Sequence, residues 1–252
     1  YGAHSANLEA YSAGFPLAAS TQINGEIVKM VEHSDVLKLL LQYMHNERQP
    51  DSSEIRWRVL APLAEAVEKY MVFSAMEVFT LFYGREALPK HPLDVLCYAV
   101  KHGYPKLSKM AAPLTLSTSL HDVSAALADR PDIILKWTQY REHWLLLLKY
   151  VYEKPPKVLH RGGLEECDLW VPFHRRMLLE IEADISKLRE FDIILLNGME
   201  DDLDECNHCQ TRVSNWRSAF GKRLKEIPSF NPGMFSDADI FRCRDLLLQF
   251  RD

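Results

Sequence analysis

The sequence predicts a mainly α-helical protein, with an α+β module in residues 1–116 and an all-α helical region in residues 117–252. Three observations carry this reading. Apolar residues recur at steps of three and four along most of the chain, the period of an amphipathic helix. Only residues 26–32 read as a strand, through Ile27, Val28, Met30 and Val31. Residues 111–121 (AAPLTLSTSLH) combine Pro113 with small and hydroxyl side chains and show no period. That break is where a domain boundary is expected.

The elements follow in order. Ser34 suits the N-cap of a helix over 35–45, with Val36, Leu37, Leu40, Leu41 and Met44 on one side. Asp35 sits in its first turn, where the helix dipole favours negative charge. A second helix is predicted over 56–70, with Val59, Leu60, Leu63, Ala66, Val67 and Tyr70 as its apolar face. A third covers 74–87 and stops before Pro89. A fourth covers 94–102 and is closed by Gly103.

Beyond the break, a helix over 122–128 precedes Pro131. A long helix then reaches about residue 152, with Ile133, Trp137, Tyr140, Trp144, Leu147 and Val151 as its stripe and Pro155-Pro156 as its terminator. Another is predicted over 173–196, through Met177, Ile181, Ile185, Leu188, Phe191 and Leu195. Val213, Trp216, Phe220, Leu224 and Ile227 mark the next, and Ser236 caps a last one carrying Ile240, Cys243, Leu247 and Phe250. Trp137, Trp144, Trp170 and Trp216 read as core of these helices.

Composition narrows the function. The chain has 252 residues, is 47% hydrophobic and carries a formal charge of -5. It is too apolar for a disordered protein. Residues 1–120 hold 11 basic against 12 acidic side chains, and the rest hold 19 against 23. Neither half is the basic domain that nucleic acid attracts, so no nucleic-acid partner is expected. No apolar run approaches the ~20 residues of a membrane span, and the start of the chain shows no signal-peptide pattern. Five cysteines are too few for a disulfide scaffold, so a reducing compartment, cytosol or nucleus, is expected.

The first half opens with His4-x-x-x-Leu8-x-x-x-Ser12-x-x-Phe15, which looks like the opening pattern of a BTB/POZ domain of the fungal type. Residues 25–31 resemble its third strand, and 34–45 (SDVLKLLLQYMH) the helix before its aromatic-rich loop. Residues 60–72 and 74–88 resemble the following helices, and 91–116 the helical tail. The resemblance covers residues 1–116 and implies a protein–protein interaction module, an adaptor for a cullin-type ubiquitin ligase in its most concrete form. Relatives present a hydrophobic-x-Glu motif to the cullin from the loop that here spans 44–50. That points to Met44 and Glu47, although the two are one residue further apart than the motif, and Asn46-Glu47 stands in place of the family's Thr-Gly. Tyr43 and Tyr83 are further partner-binding candidates, since Tyr is enriched at interfaces. Much of the family's dimer surface precedes the His, where this chain has only residues 1–3. Homodimerisation is therefore expected of a longer chain and not of this one.

The sharpest chemical signal lies in the second half. Cys206-Asn-His-Cys209 spaces two thiolates for one tetrahedral zinc. Cys167 lies upstream, and His160 precedes it across Gly162-Gly163. Together they would form a structural Cys3His zinc site. The competing reading makes Cys167 a small buried hydrophobe beside Trp170 and the CxxC a surface thiol pair. His174, Arg175 and Arg176 read as a solvated basic patch, and Cys97 and Cys243 as structural. No nucleophile-elbow, dinucleotide or P-loop motif occurs, so no enzyme is expected. Two alternatives to the adaptor remain: a BTB-bearing nuclear regulator, and a zinc-dependent or thiol enzyme centred on Cys167, Cys206 and Cys209.

Overall fold

Eleven α-helices account for most of the described residues of the computed structural model, which are 1–15, 29–153, 155–160, 162–163 and 167–233. The chain divides into two units, Tyr1–Leu107 and Ser108–Asp252. Among the described residues no strand is present, and no helix is long and apolar enough to cross a membrane.

The first unit holds α1 (Ser5–Tyr11), α2 (Ser34–Tyr43), α3 (Trp57–Lys69), α4 (Phe73–Phe82) and α5 (Pro92–Lys101). Its core is Leu40, Leu60, Leu63, Val67, Phe79 and Leu96, all fully buried. Leu40 in α2 and Leu60, Leu63 and Val67 in α3 lie on the apolar faces that the helical period picks out; Phe79 comes from α4 and Leu96 from α5. The helix expected over 74–87 ends instead in a π-helical turn, Tyr83–Ala87, closed by Leu88 N–H donating to Tyr83 O at 3.0 Å. Gly14 lies against the α3–α4 turn, where a Cβ would fall 2.5 Å from Tyr70 Cα.

The described residues of this unit do not show the expected α+β character. Residues 26–28 of the expected strand lie outside the described residues. Over 29–32 the backbone bends and forms no ladder. The apolar residues of this stretch do not alternate, and Val31 is 84% exposed. Glu32 is held by side chains instead, accepting from Lys69 Nζ at 2.6 Å and from the Tyr70 hydroxyl at 3.0 Å.

The second unit is built on α8 (Pro131–Tyr152), preceded by α6 (Pro105–Ala111), which begins just ahead of the division between units, and α7 (Leu120–Ala126). The end of α6, a 3-10 turn (Ala112–Thr115) and the start of α7 occupy seven of the eleven residues, 111–121, expected to be irregular. Ser119 caps α7 by accepting from Asp122 N–H at 3.1 Å. The α8 stripe Ile133, Trp137, Tyr140, Trp144, Leu147 and Val151 is buried. Trp137 Nε1–H donates to Thr115 Oγ1 at 2.8 Å, so this indole is satisfied inside the core.

The single helix expected over 173–196 is three pieces: α9 (Trp170–Ile181), a 3-10 turn (Ile185–Arg189) and α10 (Phe191–Asp202). The apolar stripe is buried as expected, from Met177 to Leu195. The backbone breaks because Glu182 and Ala183 adopt left-handed φ of 49° and 59°. Asp184 then restarts the chain by accepting from Ser186 N–H at 2.9 Å. Tyr152 at the end of α8 pins the break, its hydroxyl accepting from Ala183 N–H at 3.0 Å. α10 folds back on α9 so closely that a Cβ on Gly198 would lie 2.4 Å from Met177 Cε. α11 (Asn207–Glu226) packs on α8 and α10. The last expected helix, with Ser236 and Cys243, lies outside the described residues.

Candidate metal centre

α8 ends at Tyr152, ahead of Pro155-Pro156, which cannot continue a helix. The chain then runs to His160. Gly162 and Gly163 follow with φ of 84° and 79°, values that a side chain would strain. Gly163 N–H donates to His160 O at 3.1 Å, closing a tight turn behind the histidine. Cys167 stands just before α9, and its carbonyl accepts from Trp170 N–H at 3.0 Å. Cys206 immediately precedes α11, and Cys209 lies in the first turn of that helix.

These four side chains meet. His160 Nε2 lies 3.3 Å from Cys206 Sγ and 3.5 Å from Cys209 Sγ. Cys167 Sγ lies 3.3 Å from Cys209 Sγ and 3.9 Å from Cys206 Sγ. All four ligand atoms fall within 4.8 Å of one another. A tetrahedral zinc, with Zn–S of about 2.3 Å and Zn–N of about 2.0–2.1 Å, sets S···S edges of about 3.8 Å and S···N edges of about 3.5 Å. These four separations lie within about 0.5 Å of those edges. The thiols are free, and the donor set, three soft sulfurs and an imidazole, is one that zinc prefers. The residues therefore fit the metal.

The electrostatics fit as well. Burial pulls the Cys206 thiol upward, but the nearby Cys209 backbone N–H and the Cys209, His160 and Cys167 side chains favour the thiolate more strongly and bring Cys206 down to about 7. Its place at a helix N-terminus favours the thiolate further. Cys209 is shifted up, by burial first and then by the neighbouring Cys167 and Cys206 sulfurs. Three crowded sulfurs resist a second negative charge unless a cation sits among them. His208, between the cysteines, places its ring 4.9 Å from that of His160 and borders the cluster.

Other candidates are placed differently. Tyr43 and Tyr83 are each 2% exposed and Met44 is fully buried. Tyr43 meets the Phe79 ring at 5.9 Å, and Tyr83 lies against Trp57 and stacks on Tyr98 at 4.4 Å. Their role as surface contacts is corrected: the large rings serve the core of a small unit. Glu47 alone of the four is exposed. Trp137, Trp144, Trp170 and Trp216 are all buried. His174 is half-buried, stacked near Trp170 and Trp216, rather than part of an open basic patch.

Sequence reading missed Arg212, which is 1% exposed. Its guanidinium lies 4.0 Å over the Trp170 ring, and its Nε–H donates to Pro156 O at 3.1 Å. The available signal was position: Arg212 falls on the buried stripe of Cys209, Val213, Trp216 and Phe220. Compared with protein-family models, with curated proteins and with solved structures, the chain matches none of them.

Because metal ligation needs the thiolate, zinc affinity is expected to fall with pH. Cys206, at about 7, passes from mostly thiolate to mostly thiol between pH 8 and pH 6. That group alone is expected to lower the apparent affinity about tenfold across this window. Competition against a chelator whose own pH dependence is known measures it, and a flat profile would contradict thiolate ligation.

Proposed function

We propose that the chain is a non-catalytic helical interaction module whose second unit is held by a structural zinc on His160, Cys167, Cys206 and Cys209. The carrying observation is the convergence of the four donors to within 4.8 Å of one another, from two segments some forty residues apart in sequence. Four protein ligands close the coordination sphere, whereas catalytic zinc keeps a position for water. That weighs against an enzyme centred on these cysteines. Such a metal acts here on folding: it ties the connection between α8 and α9 to the start of α11, and its binding energy becomes stability of the unit.

Within the interaction class, the adaptor reading rests on the resemblance of residues 1–116 to a BTB/POZ domain. Helical surfaces then present one partner while the first unit docks on a cullin scaffold. With Tyr43, Met44 and Tyr83 buried, this reading places the docking surface around exposed Glu47. A nuclear regulator is less favoured, because neither half of the chain is basic.

Protein purified without chelator is expected to carry about one zinc per chain. Stripping the metal, or replacing Cys206 by Ser, is expected to lower the unfolding midpoint. Cys97→Ser, in the other unit, is expected to leave zinc content unchanged. Metal-free protein of undiminished stability would sink the zinc reading. The adaptor reading is checked by calorimetry against a cullin N-terminal domain, with a complete BTB domain as control. Binding of about -8 kcal/mol or better, micromolar, and its loss in Glu47→Lys are expected; no binding beside a working control would rule the adaptor out.

A further inference from the structure

Arg212 is the one Lys, Arg, Asp or Glu that is buried among the described residues. Burying a guanidinium costs several kcal/mol unless its donors and charge are met, so its place calls for a reason. The contacts it makes supply one. Nε–H donates to Pro156 O at 3.1 Å, and Nη2–H points to Pro155 O at 3.4 Å. The guanidinium carbon lies over the Trp170 ring, 4.0 Å from its centroid. Pro155 and Pro156 lie just before His160, and Trp170 lies just after Cys167. Arg212 therefore touches both ends of the connection that carries two of the zinc ligands. It does so from α11, whose first turn holds a third ligand, Cys209, and whose N-terminus is flanked by the fourth, Cys206.

We infer that Arg212 is the positioning residue of the metal centre, holding the α8–α9 connection against α11 so that His160 and Cys167 face Cys206 and Cys209 before a metal arrives. This rests on the zinc reading above and adds to it a residue that touches no metal. The physics is that of preorganisation. A free connection must lose conformational entropy to bring its ligands together, and that loss weakens binding. A fork that grips one end and a flat cation that stacks on the other remove much of the loss beforehand. Only Arg does both: a Lys ammonium is a point donor without a plane to lay on the indole. The Pro-Pro step suits the fork, because two successive prolines cannot extend the helix and their carbonyls lie outside its hydrogen-bond ladder.

The test is metal affinity, measured with zinc by chelator competition and with cobalt by the thiolate-to-metal absorption of the bound ion. Arg212→Met and Arg212→Lys are each expected to bind about 10- to 100-fold more weakly than wild type, the range for residues that orient metal ligands from outside the coordination sphere. The spectrum of the bound cobalt is expected to be unchanged, since no ligand is lost. Arg212→Lys keeps a long stem and a cation, so it serves if Arg212→Met fails to fold, as checked by far-UV circular dichroism. Phe220→Leu, on the same helix away from the connection, is expected to lower the melting temperature while leaving affinity within about threefold, which separates positioning from general stability. Wild-type affinity in folded Arg212→Lys, or an equal loss in Phe220→Leu, would overturn the inference. Failure of the wild type itself to bind zinc or cobalt would overturn the zinc reading on which it rests.

Discussion

The connection from 153 to 169 is the constraint on which the second unit turns. Segments longer than about 12–15 residues without regular structure are uncommon inside a domain, and they need something other than backbone ladders to hold them. This one begins with two prolines, reverses at two left-handed glycines and runs into α9 at Trp170. Its two prolines have no N–H to donate. Side chains answer the need from α11 in two places: the sulfur–imidazole cluster at the helix start and the guanidinium of Arg212 one turn later. The structural zinc proposed for the first place would make the cluster a cross-link; without a cation the same three sulfurs repel as they ionise.

The first unit solves its packing with rings and one acidic residue. Tyr83 stacks on Tyr98, and Tyr98 on Tyr104. Both Tyr98 and Tyr104 donate their hydroxyls to Glu68, at 2.5 and 2.6 Å. Burial and the hydrogen bond to Glu68 push the Tyr98 hydroxyl well above the ordinary tyrosine range. Its proton stays in place, so Glu68 keeps a donor at any ordinary pH. The network places large amphipathic side chains inside while meeting their polar tips. The tyrosines that look like interface residues in the sequence are therefore spent on the core.

Much of this was legible in the residues and some was not, for identifiable reasons. Helix periodicity located α2, α3, α5 and α8 because one face of each is buried and the period survives in sequence. The cluster of His160, Cys167, Cys206 and Cys209 was legible because a metal such as zinc accepts few residue types and constrains their spacing. The break at Glu182–Ala183 was not, since the apolar stripe runs on through it and neither Gly nor Pro marks it. A left-handed turn at two non-glycine residues leaves no compositional trace. Arg212 was not legible because an isolated Arg in a stripe ordinarily lies at its edge; only the Pro-Pro carbonyls and the Trp170 face make the interior acceptable. Tyr43 and Tyr83 failed as surface candidates because a ring with a polar tip suits a core and an interface equally.

The central claim is that His160, Cys167, Cys206 and Cys209 form one closed zinc site. X-ray absorption at the zinc edge of the purified protein tests it most directly. The expected result is a four-coordinate ion with three sulfurs at about 2.3 Å and one nitrogen at about 2.0–2.1 Å. A shell of oxygen and nitrogen only, or a zinc that keeps one or more water ligands, would contradict it.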